Sequence, residues 1–563
     1  MHPSLDRPWR RPGALSYAGR RIRAALRPPV EVSPAPPDLV KDVDVPVRLR
    51  DGVVLRLNVY RPRGDGPFPV IMSAHPYGKD ALPRRTRRGW SLNLQYRLMN
   101  QPAPVRLSDE TSWEAPDPVW WVGQGYAVIN ADTRGGGHSE GRGDLFSDQE
   151  AADIAELIGW AARQPWSNGR VGMLGVSYLA ISQYKVAALQ PPALKAICPW
   201  EGFTDAYRDF LSPGGVMETG FARIWLTMTR RLARVTTDLE AERRRHPVRD
   251  EWWERLTPDL HRITAPILVC TSFSDANLHS SGSMRAFLRV ASPERHAYTH
   301  RGPKWAVFYG EQARAAQLAF FDRHLKERAD VAPLPRVRLE VRDRRDRVVE
   351  VRDEDDWPLA RTRWTRLYLG GHGNLLDAPT GDCTTSFELR RNAALFDYRF
   401  GKDTELTGPM SLRLHVSCVG TDDPRLFVGV EKWSGGRYVP FEGSYGYGRD
   451  RVASGRLRLA LRGLDAESGT PHQPEHTFRT LQPLEPGEQV DVTIALSPSA
   501  TLFRAGDTLR LLVAGRDLEP SNPAFGHFPA RYATSRGGRA TLRSTPDRPS
   551  FLEVPVIPAA RPA

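Results

Sequence analysis

The sequence predicts an α/β fold followed by a separate all-β region, and three observations carry that expectation. First, short continuous apolar runs, "PVIMSA" at 69–74, "AVINA" at 127–131 and "RVGMLGV" at 170–176, each end in polar residues. Unbroken apolar strands are the mark of a parallel sheet covered on both faces. Second, an amphipathic helix separates the second run from the third, so strand and helix alternate. Third, beyond about Pro333 the pattern becomes period-two alternation broken by Gly, Pro and Asp turns, as in "MSLRLHVSC" and "QVDVTIALS". That texture predicts a β-sandwich. A chain of 563 residues is too long for one core, so several units are expected.

Taken in order, residues 1–40 read as a basic, disordered tail. The first 28 residues hold seven arginines against one aspartate, which accounts for +6 of the net charge of +13. The remaining +7 is spread thinly, and 71 of the 79 cationic side chains are arginine, so no nucleic-acid surface is predicted. Arg10 and Arg11 form a twin arginine, but Arg20, Arg21 and Arg23 interrupt any signal-peptide apolar segment. No run reaches the roughly 18 apolar residues of a membrane span. Cys198, Cys270, Cys383 and Cys418 have neither metal-knuckle nor redox spacing and read as buried small side chains. The expected location is the cytoplasm.

The core of the expected α/β unit runs from 41 to 200. It opens with an antiparallel hairpin, "VPVRLRDGVVLRLNVYRP", turning at Asp51-Gly52. The helix of "SDQEAADIAELIGWAARQPW" has Ser147 as N-cap and Glu150 as capping-box partner, with Ala151, Ile154, Leu157 and Ile158 at helical spacing. Residues 201–262 carry long arginine-studded amphipathic stretches without a strand, predicting a helical insertion. Strands return in "APILVCTSFSD" and "RHAYTH" within 263–333, and the β-sandwich occupies 334–563.

Open α/β sheets bind ligands beyond the carboxyl ends of their strands. Those ends present His75-Pro76-Tyr77, Asp132-Thr133-Arg134, Ser177-Tyr178, Asp275 and His300. Serine, acid and histidine follow one another in the order that α/β-hydrolases use. In "GMLGVSYLA", Gly175 and Ser177 fit the G-x-S-x-G elbow, but Leu179 stands where its last glycine belongs and Ala180 supplies the small residue one place later. Asp132 and Arg134 read as structural, the aspartate pairing a nearby arginine or capping the glycine loop, and His75 and His138 read as supporting residues.

The segment "PWSNGRVGMLGVSYLAISQY" resembles the nucleophile region of the cocaine-esterase and X-prolyl dipeptidyl-peptidase family of serine hydrolases. "HPYGKD", "DTRGGGHSEG", "CPWEGFTDAYRD", "SFSD" and the closing "RPSFLEVPVIP" look like its landmarks in order, so the resemblance covers about Val43 to Pro558. It implies an α/β-hydrolase core, an inserted helical cap and a C-terminal jelly roll. It implies Ser177 as nucleophile and Asp275 as triad acid, with the Tyr77 hydroxyl and the Tyr178 backbone N–H as oxyanion donors. The family's G-P-W-x-H histidine is missing from "THRGPKWAVFYG". His300, at a strand end, is therefore preferred as base over His279, which follows Asp275 by four residues; His324 reads as a packing residue.

The expected activity is cleavage of small esters or amides through an acyl-enzyme, with no cofactor or metal and with no nucleic acid or membrane as partner. A homodimer is the oligomer considered. Two rivals stand beside it: a proline-directed exopeptidase using a carboxylate among Glu201, Asp205, Asp209 and Glu218, and a silent hydrolase fold that binds a ligand.

Overall fold

The computed structural model describes residues 14–87, 89–98, 104–379, 381–443, 450–519 and 529–558. The expectation of a disordered tail through residue 40 is corrected from residue 14 onward. Helix α1 (Ala14–Leu26) buries Tyr17 and Ala24, seven residues apart on one face. A short strand, Val30–Ser33, then pairs in parallel with Val105–Ser108. Apolar residues at i and i+7 and the alternating Val30 and Val32 give the segment something to bury, which the arginine count concealed. Residues 1–13, with Arg10 and Arg11, lie outside the described residues.

The central sheet is built from β1 (Val40–Arg48), β2 (Val54–Arg61), β3 (Phe68–His75), β4 (Ala127–Asp132), β5 (Ser167–Val176), β6 (Leu194–Trp200), β7 (Ile267–Ser272), β8 (Arg295–His300) and β9 (Val337–Arg344). Their spatial order is β1-β2-β4-β3-β5-β6-β7-β8-β9. The β1–β2 hairpin and the β2–β4 pair are antiparallel, and from β4 to β9 every pair is parallel. At the β1–β2 turn Gly52 has φ +90°, the conformation that favours glycine there.

The apolar runs are buried on both faces, as a parallel sheet requires. Val70, Met72, Val171 and Met173 face one core with helix α2 (Asp148–Ala162). The intervening Ile71, Leu174 and Val176 face the other with a later helix, Glu311–Leu325. Ser147 caps α2 by accepting the Glu150 N–H at 3.1 Å. The Glu150 carboxylate does not complete the capping box but accepts from the Tyr178 hydroxyl at 2.6 Å. Helix α3 (Tyr178–Ala188) leaves the elbow directly after β5.

Between β6 and β7 the chain forms a π-helical turn, Ala206–Leu211, and helices α4 (Phe221–Leu232), α5 (Leu239–Arg245) and α6 (Glu251–Leu256). Helix α7 (Ser280–Arg289) follows β7, and α8 (Lys304–Phe308) and α9 (Glu311–Leu325) follow β8. Beyond β9 lie two antiparallel sheets. One centres on Thr404–Val419, paired with Gln489–Phe503, Arg539–Ser544 and Phe551–Ile557. The other holds Ala393–Arg399, Thr508–Ala514, Arg425–Ser434 and Ala453–Arg458. Their inner residues, among them Leu412, Leu414, Phe396, Val428 and Leu511, share one core. The molecule is an α/β-hydrolase core with a C-terminal β-sandwich.

Candidate active site

Ser177 sits at the turn from β5 into α3 with φ 58° and ψ −114°, a backbone conformation that a side chain rarely adopts. Two hydrogen bonds hold it there: its N–H donates to Trp200 O at 3.1 Å, and the Val176 N–H donates to Glu114 O at 3.0 Å. Val171 to Val176 and Tyr178 to Ala180 are all buried, while Ser177 is half-exposed. The strained turn thus lifts one hydroxyl out of an otherwise closed segment.

The displaced small residue has a structural counterpart. A Cβ added at Gly202 would lie 2.8 Å from Ala180 Cβ and 3.1 Å from the backbone of Ala180 and Ile181. Space absent at position 180 is provided by glycine across the interface. Gly202→Ala is therefore expected to destabilise the fold by about 1–3 kcal/mol. Adding Ala180→Gly should restore part of that loss, and thermal unfolding of the two variants measures both. Full additivity of the two substitutions would refute this complementarity.

Ser177 Oγ lies 3.3 Å from His279 Nε2, and His279 Nδ1 lies 2.5 Å from Asp275 Oδ2. The turn responsible is compact: the N–H groups of Leu278, His279 and Ser280 all donate to Asp275 O. That opens a helical turn, which sets side chains four apart on the same face. His279 is the N-cap residue of α7, and its ring stacks on Phe203 at 6.0 Å and 15°.

The expectation that His300 stands between serine and acid is corrected. His300 Nε2 lies 3.0 Å from Glu201 Oε1, and its Nδ1 accepts the Gly302 N–H at 3.1 Å. With Nδ1 accepting, Nε2 carries the proton and donates to the carboxylate. Both ring nitrogens are engaged away from Ser177. The end of β8 lies beyond β7 from β6, so it aims the ring at Glu201 after β6 rather than at the elbow.

Tyr77 and Tyr178 lie in one aromatic cluster, with ring centroids 5.9 Å apart. The Tyr77 oxygen accepts from Trp225 Nε1 at 2.9 Å, which leaves its own O–H free to donate. Burial, followed by the charge of Glu114, pushes the Tyr77 phenol well above its ordinary range, so the hydroxyl stays protonated. The Tyr178 N–H is the first of helix α3, where N–H groups lack an intrahelical acceptor. Trp225, on helix α4, thus holds a direct contact with Tyr77. Asp132 does not pair with Arg134: it caps the glycine loop, accepting the N–H groups of Lys79 and His138, and Arg134 pairs with Asp153. His75 contacts Asn130 at 2.9 Å, and His138 meets Asp44 at 3.1 Å. His324 lies on α9 near Glu294.

Sequence reasoning missed Lys304. Its ammonium is buried 2.5 Å from Asp275 Oδ2 and 3.5 Å from Glu201 Oε2. Burial opposes ionisation of Asp275, but the charges of Lys304 and His279, with their hydrogen bonds, outweigh it and hold the carboxyl well below its usual range. Burial, then Lys304, lowers the His279 imidazole. Burial likewise pushes Glu114 up to about 8, with Lys304 opposing and Asp275 and Glu201 adding to the rise. Glu201, Cys270 and His300 bring ligand-type atoms within 4.8 Å of one another. The Lys304 ammonium already supplies positive charge beside them, and burial keeps the Cys270 thiol protonated.

With that geometry in hand, comparison with known proteins is direct. The family model of the X-Pro dipeptidyl-peptidase (S15 family) matches residues 51–304, and that of the X-Pro dipeptidyl-peptidase C-terminal non-catalytic domain matches 329–553. The crystal structure of a CocE/NonD family hydrolase from Staphylococcus aureus is 35% identical, covering 92% of this chain and 94% of that one with a TM-score of 0.86. This chain belongs to the CocE/NonD hydrolase family. The chain is also 30% identical over 408 residues to a cocaine esterase from Rhodococcus sp., 62% of this chain and 65% of the esterase. It is 32% identical over 183 residues to a putative serine esterase of Mycobacterium tuberculosis, 32% of this chain and 27% of that protein. The chain thus matches less than two thirds of the length of these curated relatives. The family resemblance carried by "LGVSYLA" and its neighbouring landmarks is shown.

Proposed function

We propose that this chain is a serine hydrolase that cleaves small acyl esters or amides through a covalent acyl-enzyme. The observation that carries the reading is the continuous contact from Ser177 Oγ through His279 to Asp275, 3.3 Å and then 2.5 Å. Ser177 Oγ attacks the substrate carbonyl while His279 Nε2 takes its proton. Asp275 fixes the ring with Nδ1–H directed at Oδ2 and stabilises the imidazolium that forms. The Tyr77 hydroxyl and the Tyr178 N–H donate to the oxyanion. His279 returns the proton to the leaving alkoxide or amine. Water, activated by the same ring, then releases the acid and regenerates Ser177.

Esters are favoured over X-Pro peptides because the carboxylates near the helical insertion are already engaged. Glu201 faces His300 and Lys304, and Asp205 pairs with Arg208 and Arg249. Asp209 pairs with Arg285, and Glu218 caps the N–H groups of Gly220, Phe221 and Ala222. None of the four is left to hold a substrate ammonium. The expected result is faster turnover of p-nitrophenyl acetate or butyrate than of a glycyl-prolyl anilide, measured as kcat/KM. A preference for the anilide that disappears on acetylating its amine would establish the exopeptidase instead.

The proposed location is the cytoplasm, supported by four free, buried cysteines. Among the described residues no helix is long and apolar enough to cross a membrane.

A further inference from the structure

The mechanism above leaves the buried Lys304, beside His279, without a role. Lys304, the first residue of α8, is 2% exposed and reaches three atoms: Asp275 Oδ2 at 2.5 Å, His279 Nδ1 at 3.1 Å and Glu201 Oε2 at 3.5 Å. A buried ammonium is costly unless carboxylates surround it, so its presence here needs both Asp275 and Glu201. Glu201 is itself held from behind by His300 Nε2–H. Lys304 lies in "GPKW" after β8, a stretch in which no histidine follows the Gly-Pro.

We propose that Lys304 is a positioning residue for the base: it pins Asp275 Oδ2 against His279 Nδ1–H and sets a fixed positive charge beside the ring that opposes its protonation. The proposal rests on His279 being the base. Two features of the geometry support it. Lys304 and His279 Nδ1–H share one carboxylate oxygen, so the ammonium fixes that oxygen's place without competing for the proton of the ring. Nδ1 also lies only 3.1 Å from the ammonium nitrogen, so an added positive charge on the ring meets repulsion at short range. Asp275, Lys304 and the buried Glu201 are the charged groups that act on the ring, and Glu114 acts on Lys304 in turn. Burial and then Lys304 lower the imidazole, while Asp275 and Glu201 raise it.

The sign follows directly. A base works in its unprotonated form, so lowering its protonation range moves the acidic limb of kcat/KM to lower pH. Removing Lys304 should move that limb to higher pH. Removing the Glu201 charge should move it to lower pH.

The test is the pH dependence of p-nitrophenyl acetate hydrolysis by the full chain, its Lys304→Met and Lys304→Arg variants, and Glu201→Gln. Fluorophosphonate labelling of Ser177 in the wild type is run alongside. Expected for Lys304→Met is an acidic limb displaced upward, so that the ratio of kcat/KM at pH 8 to that at pH 6 widens several-fold. Its plateau kcat should fall by about ten- to a hundred-fold with KM little changed, because a mispositioned base slows chemistry rather than binding. Lys304→Arg should keep the limb near its wild-type position. Glu201→Gln, nearly isosteric, should displace the limb the opposite way and serves if Lys304→Met does not fold. An unmoved limb in every folded variant overturns the proposal, leaving Lys304 a purely structural cation. A wild type that neither labels at Ser177 nor hydrolyses the ester fails the triad reading instead, and the two failures are distinguishable.

Discussion

Ser177→Ala is expected to abolish fluorophosphonate labelling and to lower kcat for p-nitrophenyl esters by about a million-fold, the loss seen when a triad nucleophile is removed. The unfolding temperature should change little. The strain at the elbow belongs to the backbone, held by Trp200 O and Glu114 O, and those bonds survive the loss of a hydroxyl. Labelled wild type and unlabelled variant, both folded, would establish the nucleophile. A folded wild type that resists the probe at every pH would favour a silent hydrolase fold.

The second large effect separates the two histidines. His279→Ala removes the group 3.3 Å from Ser177 Oγ and should lower kcat by about four to six orders of magnitude. His300→Ala removes a ring that touches Glu201 and Gly302, not the serine. It leaves the buried Glu201 short of one donor, at a cost of about 1–3 kcal/mol in stability. Its kcat should stay within about ten-fold of wild type, as for a substitution that reaches the base only through Glu201 and Lys304. Comparable collapse of kcat in both, with His300→Ala still folded, would mean that the active arrangement differs from the one described.

That contrast shows where the sequence could be read and where it could not. The parallel strands were legible because their apolar runs had to fill two faces at once, as Ile71 and its neighbours Val70 and Met72 do. The elbow was legible because a strained turn needs small neighbours at fixed offsets. Gly202, the glycine that compensates for Ala180, is distant in sequence and gave no signal of its own. The base is not legible from strand ends, because the compact turn after Asp275 brings the His279 ring round to the serine instead of leaning it away. An i, i+4 spacing places acid and histidine on one face only if the loop winds as a helical turn, and "DANLH" has no local cue that compels it. Lys304 was invisible for a plainer reason: a buried lysine is recognisable only by the carboxylates around it, and Glu201 and Asp275 come from two other strands. The N-terminal segment was misread because arginine dominates its composition while burial depends on Tyr17, Ala24, Val30 and Val32.

That N-terminal segment matters for anyone cutting the chain to size. Val30–Ser33 lies against Val105–Ser108, and a further contact joins Ala35 N–H to Asp109 at 2.8 Å. From Ser108 the chain runs within a few residues to Glu114, whose carbonyl receives the N–H of the residue before the nucleophile. An expression fragment started at residue 51, where the family model begins, would bare the edge at Val105 and Leu107 and loosen the brace behind the elbow. Such a fragment would have an intact catalytic inventory and a poorly held nucleophile, so low activity in it would report the cloning boundary rather than the enzyme.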